Sequence, residues 1–164
     1  TGARVSRKPK KKKKKNSALL WIIPAGRMKR KRVHVVPLAR QMVTLFQELR
    51  ELTGGGDLCF PSPHSASQPI SDMGLLNGLR RLGYGKGEMD IHGFRSIAST
   101  ILNETIRARK DAIEMQLSHS QGDATREAYN RSLYLEERTE MMQQYADYLD
   151  NLRDGETATQ KKER

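Results

Sequence analysis

His92-Gly93-Phe94-Arg95-Ser96-Ile97-Ala98-Ser99-Thr100-Ile101-Leu102 carries two helical stripes at once. Phe94, Ile97, Ala98, Ile101 and Leu102 recur at three- and four-residue spacing and form one apolar face. His92 and Arg95 fall on another face, three residues apart, where an imidazole and a guanidinium can hold one anion between them. Taken alone, such a pair is common decoration on exposed helices. Its weight comes from the residues downstream: Leu117-Ser118-His119, then Tyr129, then Asn130-Arg131-Ser132-Leu133-Tyr134-Leu135-Glu136-Glu137-Arg138. Around these residues the pattern predicts helices over 92–103, 110–117, 123–130 and 135–152.

Upstream the signals change. Gly83-Tyr84-Gly85-Lys86-Gly87 is rich in glycine, but it follows a helix rather than a strand and precedes Glu88, so it is not a phosphate-cradling loop. Ser71 is a candidate N-cap for a short helix through Leu82. Residues 61–69, with three prolines and His64, read as a surface loop, and Asp57-Leu58-Cys59-Phe60 as a short extended piece. Met42, Leu45, Phe46, Leu49 and Leu52 give a helix packing one face, stopped by Thr53-Gly54-Gly55-Gly56. Before it, Leu19-Leu20-Trp21-Ile22-Ile23 and Val33-His34-Val35-Val36 suit strands, with Pro37 closing the second. Arg27, Lys29, Arg30, Lys31 and Arg32 lie between them, so the pair reads as a hairpin with a basic tip that projects charge from a rigid scaffold. The fold class expected is α+β, mostly α-helical, with a small β-hairpin sheet.

The 164 residues suffice for one core, and 36% of them are apolar. Thirty Lys and Arg against nineteen Asp and Glu leave a net charge of +11, which points to a polyanionic partner. That excess is local: residues 1–34 hold 14 basic side chains and no acidic one, while the other 130 carry 16 basic against 19 acidic. Six adjacent lysines, Lys10 to Lys15, repel one another and offer no apolar face, so residues 1–16 read as a solvated, disordered arm. A polar tail is expected over 153–164. The single cysteine, Cys59, excludes an intramolecular disulfide framework and multi-cysteine metal sites, and fits a reducing compartment. The longest apolar run, Ala18 to Ile23, is far too short to span a membrane. A start at Thr1 rather than Met reads as a piece of something longer.

The ordered set of motifs over residues 17–152 resembles the catalytic domain of the tyrosine recombinases, in particular prophage and genomic-island integrases. Trp21-Ile22-Ile23-Pro24-Ala25-Gly26-Arg27-Met28-Lys29 looks like the family's hairpin and Val36-Pro37-Leu38 its exit. Phe60-Pro61-Ser62, Leu79-Arg80-Arg81-Leu82-Gly83-Tyr84 and His92-Gly93-Phe94-Arg95 come in the family's order. The resemblance implies Tyr129 as nucleophile, Arg95 as the second phosphate-clamping arginine, His92 and His119 as the two histidines, and Lys29 as the hairpin lysine. Arg4 matches the first arginine, but Arg7-Lys8-Pro9 and the lysine run replace the apolar helix that comes after it in the family. Arg27, Arg30, Lys31 and Arg32 would contact DNA phosphates. The resemblance further implies double-stranded attachment-site DNA as partner, a homotetramer with residues 135–152 docked on a neighbour, and a core-binding domain upstream. It implies neither metal nor cofactor, and the bacterial cytoplasm at the nucleoid as the place of action.

These roles suit the chemistry. A side-chain oxygen that attacks phosphorus keeps the phosphate as a covalent ester, so bond energy is retained for rejoining. Tyrosine must lose its proton on attack, for which His92 is the candidate base, and Lys29 the candidate acid for the departing 5′-oxygen. Guanidinium groups hold the developing negative oxygens bidentately. Two other readings remain: a catalytically inactive remnant that only binds DNA, motivated by the chain after Arg4, and a metal-dependent nuclease. Asp57, Asp72, Glu88 and Asp90 lack the clustered spacing that the nuclease requires.

Overall fold

Residues 19–29, 31–118 and 134–155 are described by a computed structural model, and they form an α+β fold that is mostly helical. The expected 123–130 helix, the basic arm and the polar tail beyond Gly155 lie outside them.

Strands β1 (Leu20–Ile23) and β2 (His34–Pro37) pair antiparallel, with Trp21 opposite Val36 and Ile22 opposite Val35. Leu38 N–H donates to Leu19 O at 2.9 Å and extends the ladder by one step. Pro24 fixes the turn out of β1 into a short 3₁₀ segment, Ala25–Arg27, and Arg27, Lys29, Lys31 and Arg32 lie between the two paired strands, at the tip of a hairpin. Helix α1 (Arg40–Thr53) ends where Gly54 takes a left-handed φ of 74° and donates to Arg50 O, the stop that the glycine run predicts. Its apolar face is less covered than its spacing suggests. Leu45 and Leu52 stay 55% and 85% exposed, and half-buried Phe46 meets the edge of Trp21, ring centroids 6.2 Å apart. Polar bonds hold its first turn instead: Arg40 N–H donates to Gln143 Oε1 at 3.1 Å, and Gln41 Nε2 to Asp147 and Asp150 at 2.8 and 2.9 Å.

Residues 61–69 depart from the expected loop. They form a second antiparallel pair, β3 (Pro61–Ser62) and β4 (Ser65–Pro69), closed by Ile70 N–H to Phe60 O at 2.9 Å. β4 is largely solvent-facing and β3 is only two half-buried residues long, so neither carries the apolar alternation that marks a half-buried strand. Pro61 and Pro69 face each other across this short two-stranded pair, where a missing N–H is tolerated. Asp57 to Phe60 form no strand. Helix α2 (Asp72–Arg81) starts as expected, with Ser71 Oγ accepting from Gly74 N–H at 3.1 Å.

The core lies in the second half of the chain. Helix α3 (Gly93–Thr100) runs into a π-turn at Ile101–Thr105, succeeded by α4 (Lys110–Gln116) and α5 (Leu135–Arg153). Leu102, Ala112, Ile113, Leu117 and Met141 are buried together, with Met142 and Tyr145 packed against them. This corrects two expectations. Phe94 and Ile97 are about half exposed, and of the apolar face proposed for α3 only Leu102 is fully buried. Within 135–152, the segment expected to dock on a neighbour, Met141, Met142 and Tyr145 pack inside the same chain, where α4 meets that face of α5.

Leu102→Ala is expected to cost about 2–5 kcal/mol by denaturant unfolding, since it opens a cavity where the side chain is 1% exposed. Leu52→Ala, at a position 85% exposed, should stay within about 0.5 kcal/mol.

Candidate active site and nucleic-acid interface

Arg95 occupies the first turn of α3 and is half-buried. Its Nη2 donates to the carbonyl of Leu117, the residue that ends α4. The last carbonyls of a helix lack intrahelical donors and carry partial negative charge, so a guanidinium is a fitting cap. One of five N–H donors is used in this way. Ser118 next adopts a left-handed φ of 55°, turning the chain sharply just before His119.

The start of α3 is fixed by Asp90, whose Oδ1 and carbonyl both accept from Gly93 N–H, at 2.6 and 3.1 Å. His92 is exposed at the helix start, and its carbonyl accepts from the N–H groups of Arg95 and Ser96. The i, i+3 relation read from the sequence is therefore present in a real helical turn.

Arg80 holds the loop between α2 and α3. Its Nη1 donates to the carbonyls of Tyr84, Gly85 and Met89 at 2.8, 2.5 and 3.0 Å, while Glu88 accepts from Gly85 N–H. One guanidinium thus staples the glycine loop that the sequence only excluded from phosphate binding. Arg80→Ala should lower stability by about 1–3 kcal/mol, because three carbonyls lose their donor at once; urea unfolding would measure it.

In the hairpin, Arg27, Lys29 and Lys31 are exposed and Arg32 is half-buried. Lys31 takes a left-handed φ of 52° and donates its N–H to Met28 O at 2.9 Å, which folds the tip over. The hairpin joins the body through Arg138 of α5. That side chain is 2% exposed and donates to Val35 O of β2 at 2.5 Å and to Gln116 Oε1 at 2.7 and 3.0 Å. Burial pushes its guanidinium pKa down to about 10. Gln116 adjoins Leu117, so hairpin, α4 and α3 meet at the end of α4.

The described chain resumes at Tyr134, whose ring lies under the Arg109 guanidinium at 4.9 Å. Arg109 also pairs with Asp111 at 3.4 Å. Tyr129, His119, Arg4 and Arg30 lie outside the described residues. Of the remaining expected site residues, the structure brings His92 and Arg95 together on one turn and ties the Lys29 hairpin to the element that Arg95 caps.

Arg138, Gln116 and Arg80 were missed by sequence reasoning. Arg138 had a signal: it precedes Met141, Met142 and Tyr145 at three, four and seven residues, the phase of the buried face. Its place in the run Glu136-Glu137-Arg138 disguised it as a solvated charge.

Residues 11–136 match the phage integrase family. The integrase of Enterobacteria phage P4 is 42% identical over 80% of this chain and 33% of its own length. Prophage integrase IntA of Escherichia coli (strain K12) is 44% identical over 77% of this chain and 30% of its own. The integrase of Shigella phage Sf6 is 39% identical over 78% and 33%. The chain spans about a third of the length of these curated relatives. No solved structure gives a significant match.

Proposed function

This chain belongs to the phage integrase family, and from that premise we propose that it carries the strand-exchange chemistry of a tyrosine-type site-specific recombinase. The Tyr129 hydroxyl attacks a DNA phosphorus and forms a 3′-phosphotyrosyl ester as the bond to the 5′-oxygen breaks. The phenol proton passes to His92, and Lys29 protonates the departing oxygen, so charge and atoms balance. Arg95, with Arg4, holds the two negative oxygens, and His119 donates a hydrogen bond to the same phosphate. Arg27, Arg30, Lys31 and Arg32 position the duplex through its backbone, a role that carries no sequence information. Attachment-site DNA, a tetramer on two duplexes and an upstream core-binding domain complete this reading, with integration or excision of a mobile element at the bacterial nucleoid as its outcome.

The observation that carries it is the Arg95 bond to Leu117 O. It ties the Arg95 guanidinium to the carbonyl two residues before His119, at the end of α4, which packs into the core, and rigid support is what transition-state clamping requires. A second reading, an inactive remnant that retains DNA binding, is favoured by one feature: Arg7-Lys8-Pro9 and Lys10 to Lys15 after Arg4 cannot bury a helix face.

Covalent trapping separates the two. The protein is incubated in EDTA with nicked duplexes of random sequence and with supercoiled plasmid, then denatured. A protein–DNA adduct supports the recombinase reading; bound DNA without an adduct leaves either the remnant or a chain that needs its upstream core-binding domain, and supplying that domain distinguishes them, since only the remnant then still forms no adduct.

A further inference from the structure

Arg138 is the largest fully buried side chain described. Removing a guanidinium from water is costly, and a buried cation is normally compensated by a carboxylate. Its partners among the described residues are neutral oxygens, Val35 O and Gln116 Oε1. An apolar side chain of similar volume would fill this space without that cost, so packing by itself does not account for an arginine here.

What the guanidinium does is connect. Strand β2 is half-buried against the body while Leu20, Trp21 and Ile22 of β1 are exposed, so β2 is the docked strand of the hairpin. Val35 is the residue through which Arg138 grips it. The other end of the grip, Gln116, is the last residue of α4, next to the carbonyl that Arg95 caps. Lys29 lies six residues from Val35, a lever of up to about 20 Å at the rise of a strand. A tilt of roughly 5° about that pivot moves the tip by about 1–2 Å.

We propose that Arg138 is a positioning residue: it pins the basic hairpin to the C-terminal end of α4 and so sets where Lys29 delivers its proton. This rests on the reading of Lys29 as the acid for the departing 5′-oxygen.

Two nicked duplexes with randomised flanks about one fixed linkage test it, identical except that one carries sulfur in place of the bridging 5′-oxygen. A thiolate departs without a proton, so a defect in proton delivery vanishes on the sulfur substrate, whereas a defect in the phosphate clamp persists. Arg138→Met is expected to slow adduct formation about 100-fold on the oxygen substrate and less than about 3-fold on the sulfur one. The double variant Arg138→Met/Gln116→Leu replaces donor and acceptor together, so its melting temperature should lie nearer the parent's while the oxygen-specific defect remains. This second variant keeps the test decisive should Arg138→Met fold poorly. Equal slowing on both substrates, or a parental rate in the folded double variant, would overturn the proposal and leave Arg138 a structural residue. A parent chain that forms no adduct on either substrate, with the upstream core-binding domain supplied, would overturn the reading of the function, and the proposal with it.

Discussion

Tyr129→Phe is expected to abolish the covalent adduct, by at least about 10⁴-fold, while DNA binding is retained. The change removes one oxygen and nothing else of size, so a ring that packs or stacks would still do so, and only the proposed nucleophile is lost. Competing tyrosines are poorly suited to take over. Tyr145 packs against the core, and burial raises the pKa of its hydroxyl, which works against forming the attacking phenolate. Tyr134 lies under Arg109, and Tyr148 is half-buried along α5. Tyr84 is about half exposed, but it sits in the loop that Arg80 staples. An adduct that survives in Tyr129→Phe would place the nucleophile elsewhere, and peptide mapping of the labelled tyrosine would then decide between Tyr84 and the others.

Arg95→Ala should lower the single-turnover rate of adduct formation about 10³-fold, with DNA affinity changed by less than about tenfold. The asymmetry arises from where the charge is used. In the proposed complex, ground-state binding is spread over many phosphate contacts, among them those of the basic tip, whereas the negative oxygens of the transition state need a guanidinium at one point. The same substitution leaves Leu117 O without its Arg95 donor, at a cost of about 1 kcal/mol, so the fold should survive and circular dichroism melts should shift by only a few degrees. Arg95→Lys keeps the charge but loses the planar fork, and should recover only part of the rate. A parental rate in Arg95→Ala would remove this residue from the phosphate clamp and leave it a cap on α4.

The relation between these two experiments and the sequence is uneven, and the reason is physical. Local features are legible because the residues that produce them are neighbours in the chain. Ser71 caps α2, Gly54 ends α1 in a left-handed turn, Pro24 and the β-branched runs make the hairpin, and His92 and Arg95 share a helical turn. The ordered motifs also sufficed to identify the family. The short ladder β3–β4 was not legible, since β4 is exposed on both faces and β3 is two residues long, so neither has an alternation to read.

Sequence alone thus determined the first hairpin with its basic tip, the described helices and the pair on α3, all of which depend on contacts within a few residues. Tertiary structure decided which apolar stripe is buried: Met141, Met142 and Tyr145 turn inward, while Phe94 and Ile97 remain half exposed, because burial depends on which elements meet. It also decided that Arg138, 22 residues from Gln116 and 103 from Val35, is no solvated charge. An arginine's role depends on the oxygens within its reach, and those are set by the fold rather than by adjacent residues.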